Sequence, residues 1–161
     1  MNKKALFITQ AAMIAALYVV LTVFINAFNL ASGAIQVRIS EALTVLPFFT
    51  PAAIPGLFIG CLISNIVTGC LPWDVVFGSM ATLIGALGTY ALRKYKLLAP
   101  IPPILANALI VPIILIKVYA IPDAYWFLLL TVGAGEVISC GILGMILLFA
   151  LNKYRDKIFR Q

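Results

Sequence analysis

Long apolar stretches, separated by short polar or proline-containing breaks, fill this sequence almost from end to end. The five apolar blocks are Ala5–Phe28, Ile39–Leu71, Val75–Leu92, Leu97–Tyr119 and Ala124–Leu151. A transmembrane helix needs about 20 consecutive, mainly apolar residues. Each block therefore has about the length of a membrane crossing, and Ile39–Leu71 is long enough for two.

Basic residues between the blocks indicate which ends of the helices face the cytoplasm. They cluster at Lys3–Lys4, Arg93–Lys96 and Lys153–Arg160, and basic loops of membrane proteins lie preferentially on the cytoplasmic side. If all three clusters lie inside, Ile39–Leu71 must cross an even number of times. Its prolines supply the break, because proline removes a backbone donor and ends a helix.

The sequence therefore predicts an all-α integral membrane protein with six transmembrane helices and cytoplasmic N- and C-termini. The predicted helices cover residues 5–28, 35–48, 52–71, 74–93, 99–119 and 124–152. The second is short, about 21 Å at 1.5 Å per residue against a hydrocarbon core of about 30 Å. Non-helical backbone at membrane depth is tolerated only beside protein or a water-filled cavity. We therefore expect a recess open to the outside beside the loop Asn29–Ala34.

Composition supports a single transmembrane domain over residues 1–161. The chain is 64% hydrophobic and 10% charged, whereas soluble domains are about 45–50% apolar and about 25% charged. The basic residues that give the net charge of +6 flank apolar segments, and this placement argues against nucleic-acid binding. The sequence has no histidine and no GK[ST] nucleotide-binding motif, so neither metal chemistry nor ATP hydrolysis by this chain alone is expected.

Four charged residues at predicted membrane depth are the strongest functional signal: Glu41, Lys117 and Glu136 inside apolar blocks, and Arg38 directly before the second block. A charge in hydrocarbon costs about 2.5–3.5 kcal/mol even on mild scales, so it normally faces a cavity, a partner or a ligand. Arg38 and Glu41 are three residues apart and could instead form a structural ion pair. Glu136 has no basic residue within four positions, so it needs a distant partner, a proton or a cationic ligand.

Other polar residues are predicted to converge on the outer half of the membrane. Asn65 and Asn107 lie within apolar helices, where each could contact a ligand or simply bond a neighbouring helix. Trp73 and Trp126 lie at the outer rim with Lys117, and the alternative for the tryptophans is an interfacial aromatic belt. A pocket with two carboxylates suits a ligand that bears an amine or many N–H donors.

Small residues mark helix contacts, above all the alanine stripe formed by Ala11, Ala12, Ala15 and Ala16. Its two overlapping AxxxA pairs allow another helix to approach closely, either from a partner or from this chain. The three cysteines are scattered without a CxxC motif. They are interpreted as packing residues, and no metal site or cofactor is predicted.

The run VRISEALTVLPFFTPAAIPGLFIGCLISNI (Val37–Ile66) resembles the QueT family of membrane proteins. These are substrate-binding S components of energy-coupling factor (ECF) transporters, assigned to queuosine precursors. The resemblance covers the whole chain in length and helix layout, and the step Gly135–Glu136 supports it. The alanine stripe is similar to the first-helix AxxxA pattern by which S components meet the shared transmembrane subunit.

The resemblance implies a multi-pass protein of a bacterial cell membrane, with a substrate site near the outer face that the loop after the first helix closes. It implies three partners: a transmembrane coupling subunit and two ATPase subunits. The implied ligand is a 7-deazaguanine such as 7-aminomethyl-7-deazaguanine or queuine. The predicted substrate-binding residues are Arg38, Glu41, Asn65, Trp73, Asn107, Lys117, Trp126 and Glu136, and the predicted partner contacts are Ala11, Ala12, Ala15 and Ala16.

Three other functions are weighed against this one. An S component for another vitamin or nucleobase-like micronutrient would have the same architecture. A structural or pore-forming membrane subunit would place its polar residues as a ring along one helix, whereas here they are spread over four helices. An intramembrane enzyme would need paired catalytic residues at depth, but Asp74 and Asp123 lie at the rims. We therefore do not expect an enzyme.

Overall fold

Helices make up most of the protein. The computed structural model describes residues 2–28 and 38–158, and no strand occurs among them. The helices are α1 Lys3–Ala27, α2 Ile39–Phe48, α3 Ala53–Val67, α4 Pro72–Ala91, α5 Ile101–Lys117, α6 Tyr125–Asn152 and the short α7 Arg155–Ile158. Helices α1 to α6 correspond one to one to the six predicted helices. The loop Asn29–Ala34 and the predicted start of the second helix at residues 35–37 lie outside the described residues.

Four of the described helices, α1, α4, α5 and α6, are long and apolar enough to cross a membrane, the third of them counted from Lys96. Large apolar side chains on their outer faces are exposed, for example Leu130 at 70% and Ile146 at 62%. Such a surface requires a lipid environment rather than water. The all-helical membrane architecture is therefore confirmed, whereas six crossings and cytoplasmic termini stay predictions.

Local sequence signals determine where several helices begin and end. The side chain of Asn2 caps α1 by accepting from the backbone N–H of Lys4 at 3.2 Å. Gly69 ends α3 with a positive φ of 76°, a conformation that glycine adopts without a steric cost. The prediction that the third helix reaches residue 71 is therefore wrong at that end, because α3 ends at Val67. Pro72 then begins α4, since a first-turn residue needs no backbone donor.

Helix α2 lies at the centre of the protein and contacts α1, α3, α4 and α6. Every residue from Ser40 to Phe48 is buried. It is a 3₁₀ helix, which rises about 2.0 Å per residue and is uncommon at this length. Pro47 favours the departure from α-helical geometry, because its nitrogen has no proton to donate. This buried segment carries Glu41 into the protein interior.

The GxxxG motif of α3 packs against α1. A Cβ atom added at Gly56 would lie 2.7 Å from the carbonyl oxygen of Ala11, and one added at Gly60 would lie 3.0 Å from that of Ala15. Both positions therefore need glycine, because any side chain would push the two backbones apart. This close contact fixes α1 beside α3 and determines which face of the alanine stripe remains accessible.

A π-helical stretch over Val137–Leu143 interrupts α6. Such wide turns are rare and often occur at functional sites. It follows Glu136 directly, and it contains the buried residues Ser139 and Cys140. The change in helical pitch therefore occurs where α6 presents its polar residues to the bundle interior.

Candidate functional site

A cavity of about 280 Å³ opens at one end of the helix bundle, and we call it the Arg38 cavity. The end of α1, the end of α3, the start of α4 and the end of α5 surround it. Its lining residues are Thr22, Ile25, Asn26, Arg38, Asn65, Thr68, Cys70, Asp74, Leu115, Tyr119 and Ile121. The volume suits a small ligand, near the lower end of the usual range for binding pockets.

Two of the predicted substrate-binding residues, Arg38 and Asn65, line this cavity. The backbone N–H of Arg38 donates to the Ser139 hydroxyl of α6 at 3.1 Å, which holds the chain at the start of α2. Asn65 is buried on α3, and its amide lies 3.6 Å from the Cys61 sulfur. The cavity thus has a cation and an amide among its walls.

Three further predicted residues, Glu41, Asn107 and Glu136, come together deeper in the protein. With Tyr18 and Cys140 they form a group that we call the carboxylate cluster. Glu41 is 1% exposed, Asn107 5% and Glu136 6%. Residues on four different helices, α1, α2, α5 and α6, therefore meet at one buried polar centre.

Hydrogen bonds connect most members of the carboxylate cluster. The Tyr18 hydroxyl donates to Glu41 Oε1, and the Asn107 amide donates to Glu41 Oε2 at 3.3 Å. The Cys140 thiol lies 3.1 Å from Glu136 Oε2 and donates to it. A buried carboxylate without such donors would carry a large desolvation penalty, so these contacts allow two acidic residues to lie inside the bundle.

Oxygen atoms of Glu41 and Glu136 and the sulfur of Cys140 all lie within 4.8 Å of one another. These atom types can bind a metal ion. Each group already has a hydrogen-bond partner, so the arrangement is explained without a metal. The interpretation of Cys140 as a packing residue was incomplete, because this buried thiol also pairs with Glu136.

Arg38 and Glu41 do not form the structural ion pair that was the alternative for these residues. Among the described residues, no carboxylate lies within 4.0 Å of the Arg38 guanidinium. Arg38 lines the cavity, whereas Glu41 bonds Tyr18 and Asn107 behind it.

The other three predicted substrate-binding residues lie away from the cavity. Trp73 is 63% exposed and stacks on Phe77 at 6.0 Å between ring centres, whereas Trp126 is 73% exposed. Lys117 is exposed at the end of α5. The positions of the tryptophans match the alternative of an interfacial aromatic belt. Their predicted contact with a ligand has no support in this geometry.

Asp74 and Tyr119 join two connecting regions at the edge of the cavity. The Tyr119 hydroxyl donates to Asp74 Oδ2 at 2.8 Å and accepts from the Leu71 backbone N–H at 3.3 Å. Burial and the bond to Asp74 raise the pKa of Tyr119 above its ordinary value. The phenol is therefore a protonated donor at neutral pH and holds Asp74 in place.

Sequence reasoning missed the polar side of α1. Tyr18, Thr22 and Asn26 are four residues apart, and residues at this spacing share one helix face. Tyr18 belongs to the carboxylate cluster, and the other two line the Arg38 cavity. The spacing was visible in the sequence, but the alanine stripe dominated the interpretation of this helix.

The alanine stripe divides between an internal contact and an open groove. Ala11 and Ala15 pack against the glycines of α3, whereas Ala12 and Ala16 are exposed. All four line an apolar groove of about 690 Å³, which we call the alanine groove. Its other lining residues are Phe7, Ile8, Val19, Val20, Pro55, Ile59 and Ile63. Internal packing therefore accounts for one edge of the stripe and leaves the other edge accessible.

Comparisons with known proteins agree on one family. The profile of a family described as "QueT transporter" matches residues 8–153. A curated protein of Lactococcus lactis subsp. cremoris (strain MG1363), named "Queuosine precursor transporter QueT", is 37% identical over 97 residues. That match covers 59% of this chain and 56% of the relative. No solved structure matches the chain.

Proposed function

Because this chain belongs to the QueT transporter family, we propose that it is the substrate-binding S component of an ECF-type importer for a queuosine precursor. Its role is to capture a 7-deazaguanine such as 7-aminomethyl-7-deazaguanine or queuine from outside the cell. A related protein is named a queuosine precursor transporter. The family makes transport the role of this protein, while the substrate and the ECF assembly are our proposal.

The observation that carries the proposal is the Arg38 cavity with two buried carboxylates behind it. A guanine-like edge presents a carbonyl acceptor and adjacent N–H donors. A guanidinium donates to carbonyl oxygens, and a carboxylate accepts two N–H groups side by side. Arg38 and Asn65 line the cavity, and Glu41 and Glu136 lie behind them. In our proposal Arg38 and Asn65 contact the carbonyl side, and the carboxylates accept the N–H edge and orient Arg38.

Six crossings with both termini in the cytoplasm complete this proposal. The basic clusters at Arg93–Lys96 and Lys153–Arg160 then lie inside. The cavity lies at the end of the bundle opposite the loop that follows α4, which is the outer end in this topology. With the protein in a bacterial cell membrane, a substrate would therefore enter the cavity from outside, as an importer requires.

The alanine groove is the proposed contact with the coupling subunit. It is apolar, about 690 Å³ in volume, and floored by small side chains, which let a second helix approach closely. The sequence contains no GK[ST] motif. The coupling subunit and two ATPase subunits would supply the energy of transport, and the groove gives this chain a surface on which the first of them binds.

The experiment is uptake of radiolabelled 7-aminomethyl-7-deazaguanine by cells that contain the ATPase module, together with binding to the purified chain. Ala12→Trp fills the groove from an exposed position, so we expect it to abolish uptake and leave binding unchanged. Met13→Trp is the matched control, since Met13 is 59% exposed and does not line the groove. Ala15 is unsuitable, because it is buried against Gly60.

Two results would contradict the proposal. Uptake that survives Ala12→Trp would show that the groove is not the contact surface. Uptake and binding lost together in Ala12→Trp would show that the stripe serves only the internal packing of this chain. Cells that lack the ATPase module should show binding but no accumulation of the labelled compound.

A further inference from the structure

Among the described residues, Asp74 is the one carboxylate that lines the Arg38 cavity, and the proposed function does not use it. Asp74 lies in the first turn of α4, where the helix dipole stabilises its negative charge. Tyr119 donates to Oδ2 at 2.8 Å. Among the described residues, none donates a hydrogen bond to Oδ1. Tyr119 thus fixes one oxygen of the carboxylate and leaves the other available.

Gly78 leaves room for that second oxygen, because it has no side chain. A Cβ atom built on Gly78 would lie 3.1 Å from Asp74 Oδ1 and 3.3 Å from the Asn65 amide nitrogen. The missing side chain thus leaves space beside α4 that the Asp74 carboxylate and the Asn65 amide both border. Both residues line the cavity. Gly78 therefore leaves room for Asp74 Oδ1 on the side of Asn65, a second residue of the cavity wall.

Charges of opposite sign line the Arg38 cavity. Arg38 and Asp74 both line it, but within the described chain the two groups form no ion pair shorter than 4.0 Å. Two opposite charges held apart on one small cavity suit a ligand that carries an acceptor at one end and a cation at the other. A neutral purine would leave Asp74 Oδ1 without a hydrogen-bond donor once water is expelled.

We propose that Asp74 is the residue that recognises the cationic side-chain amine of the ligand, with Tyr119 as its positioning residue. This inference rests on the proposed function, and it assigns the amine to Asp74 rather than to Glu41 or Glu136. The chemical class is a 7-deazaguanine with a protonated aminomethyl group. The site would discriminate against the same ring system with an uncharged substituent at that position.

The test compares two probes on the purified protein by equilibrium titration. One is 7-aminomethyl-7-deazaguanine, and the other is 7-cyano-7-deazaguanine, which has the same rings and no cation. Asp74→Asn keeps an acceptor for Tyr119 and removes the charge. We expect it to weaken binding of the amine roughly 10- to 150-fold and to change binding of the nitrile by less than about threefold.

Two further variants complete the design. Tyr119→Phe keeps the Asp74 charge and removes its positioning hydrogen bond, so a smaller loss for the amine alone is expected. Asp123→Asn is the matched control, since Asp123 is an exposed carboxylate that does not line the cavity. It should change neither affinity. If Asp74→Asn does not fold, the ratio of amine affinity to nitrile affinity in Tyr119→Phe is the test. A lower ratio than in the unaltered protein supports the inference, and an unchanged ratio overturns it.

The outcomes separate this inference from the proposed function. Retained binding of the nitrile by Asp74→Asn shows that the variant is folded and that the loss is specific to the amine. Unchanged binding of both probes, or equal loss of both by a folded variant, would overturn the inference and leave the proposed function intact. Binding of neither probe by the unaltered protein would overturn both.

Discussion

Glu136 places an acidic side chain in an apolar interior, beside a second carboxylate. Its donor is the Cys140 thiol at 3.1 Å, and Glu41 lies within 4.8 Å. Two ionised carboxylates at this distance repel each other, so the pair needs a bound proton, an opposite charge or a donor-rich ligand to offset the repulsion. Hydrogen bonds within the carboxylate cluster stabilise the pair, and in our proposal the N–H edge of the ligand adds further donors.

The corresponding prediction concerns Glu136→Gln, which keeps one acceptor for Cys140 and removes the charge. A charge-assisted contact contributes about 1.5–3 kcal/mol, so binding should weaken roughly 10- to 150-fold. Because 7-aminomethyl-7-deazaguanine and 7-cyano-7-deazaguanine share the N–H edge, both should be affected equally. Titration of the purified Glu136→Gln variant with each compound measures the two affinities. Unchanged affinities would show that Glu136 has a structural role only.

At this scale the sequence identified the charges but not their partners. Arg38, Glu41 and Glu136 were evident because charges are rare in apolar segments. Tyr18 and Cys140 were not, since neither residue type is unusual in a membrane helix. The separation of Arg38 from Glu41 depends on the path of the backbone at the start of α2, which spacing along the chain does not reveal.

Among the helices, the contact between α1 and α3 determines how the site is supported. Tyr18 and Thr22 reach the cluster and the cavity from α1, so their positions depend on how closely α1 approaches α3. Gly56 permits that approach, since a Cβ there would lie 2.7 Å from a backbone oxygen of Ala11. A backbone atom cannot give way as the tip of a side chain can.

Gly56→Ala should therefore destabilise the protein by about 1–3 kcal/mol, the usual cost of overpacking. Gly133→Ala is the matched control, because its nearest neighbour would be the Ala108 Cβ at 3.7 Å, an ordinary contact. Unfolding of both variants in detergent, followed by circular dichroism, gives the comparison. Equal stability of the two variants would show that the helices can separate at little cost.

The positions of the helices followed from the sequence, whereas their local geometry did not. Apolar blocks and proline breaks placed α1 to α6 to within a few residues. The 3₁₀ geometry of α2 and the π stretch of α6 arise from packing against neighbours, for which the hydrophobic pattern carries no signal. Gly69 was a visible end signal for α3, but the continuing apolar run concealed it.

For the whole molecule, the predicted orientation in the membrane can be tested by cysteine labelling. A membrane-impermeant maleimide applied from outside should label Asp123→Cys and not Tyr95→Cys, because Tyr95 lies in the basic loop predicted to be cytoplasmic. Both positions are exposed. Cys61 and Cys140 are buried and can stay, whereas the half-buried Cys70 is replaced by serine. The reverse labelling pattern would contradict the topology.

The central claim is that this chain by itself binds a queuosine precursor. Isothermal titration of the purified protein, without ATPase or coupling subunits, tests it most directly. We predict saturable one-to-one binding of 7-aminomethyl-7-deazaguanine or queuine and no binding of riboflavin, which represents the alternative of an S component for another vitamin. Absence of binding by both deazaguanines, or saturable binding of riboflavin instead, would contradict the account.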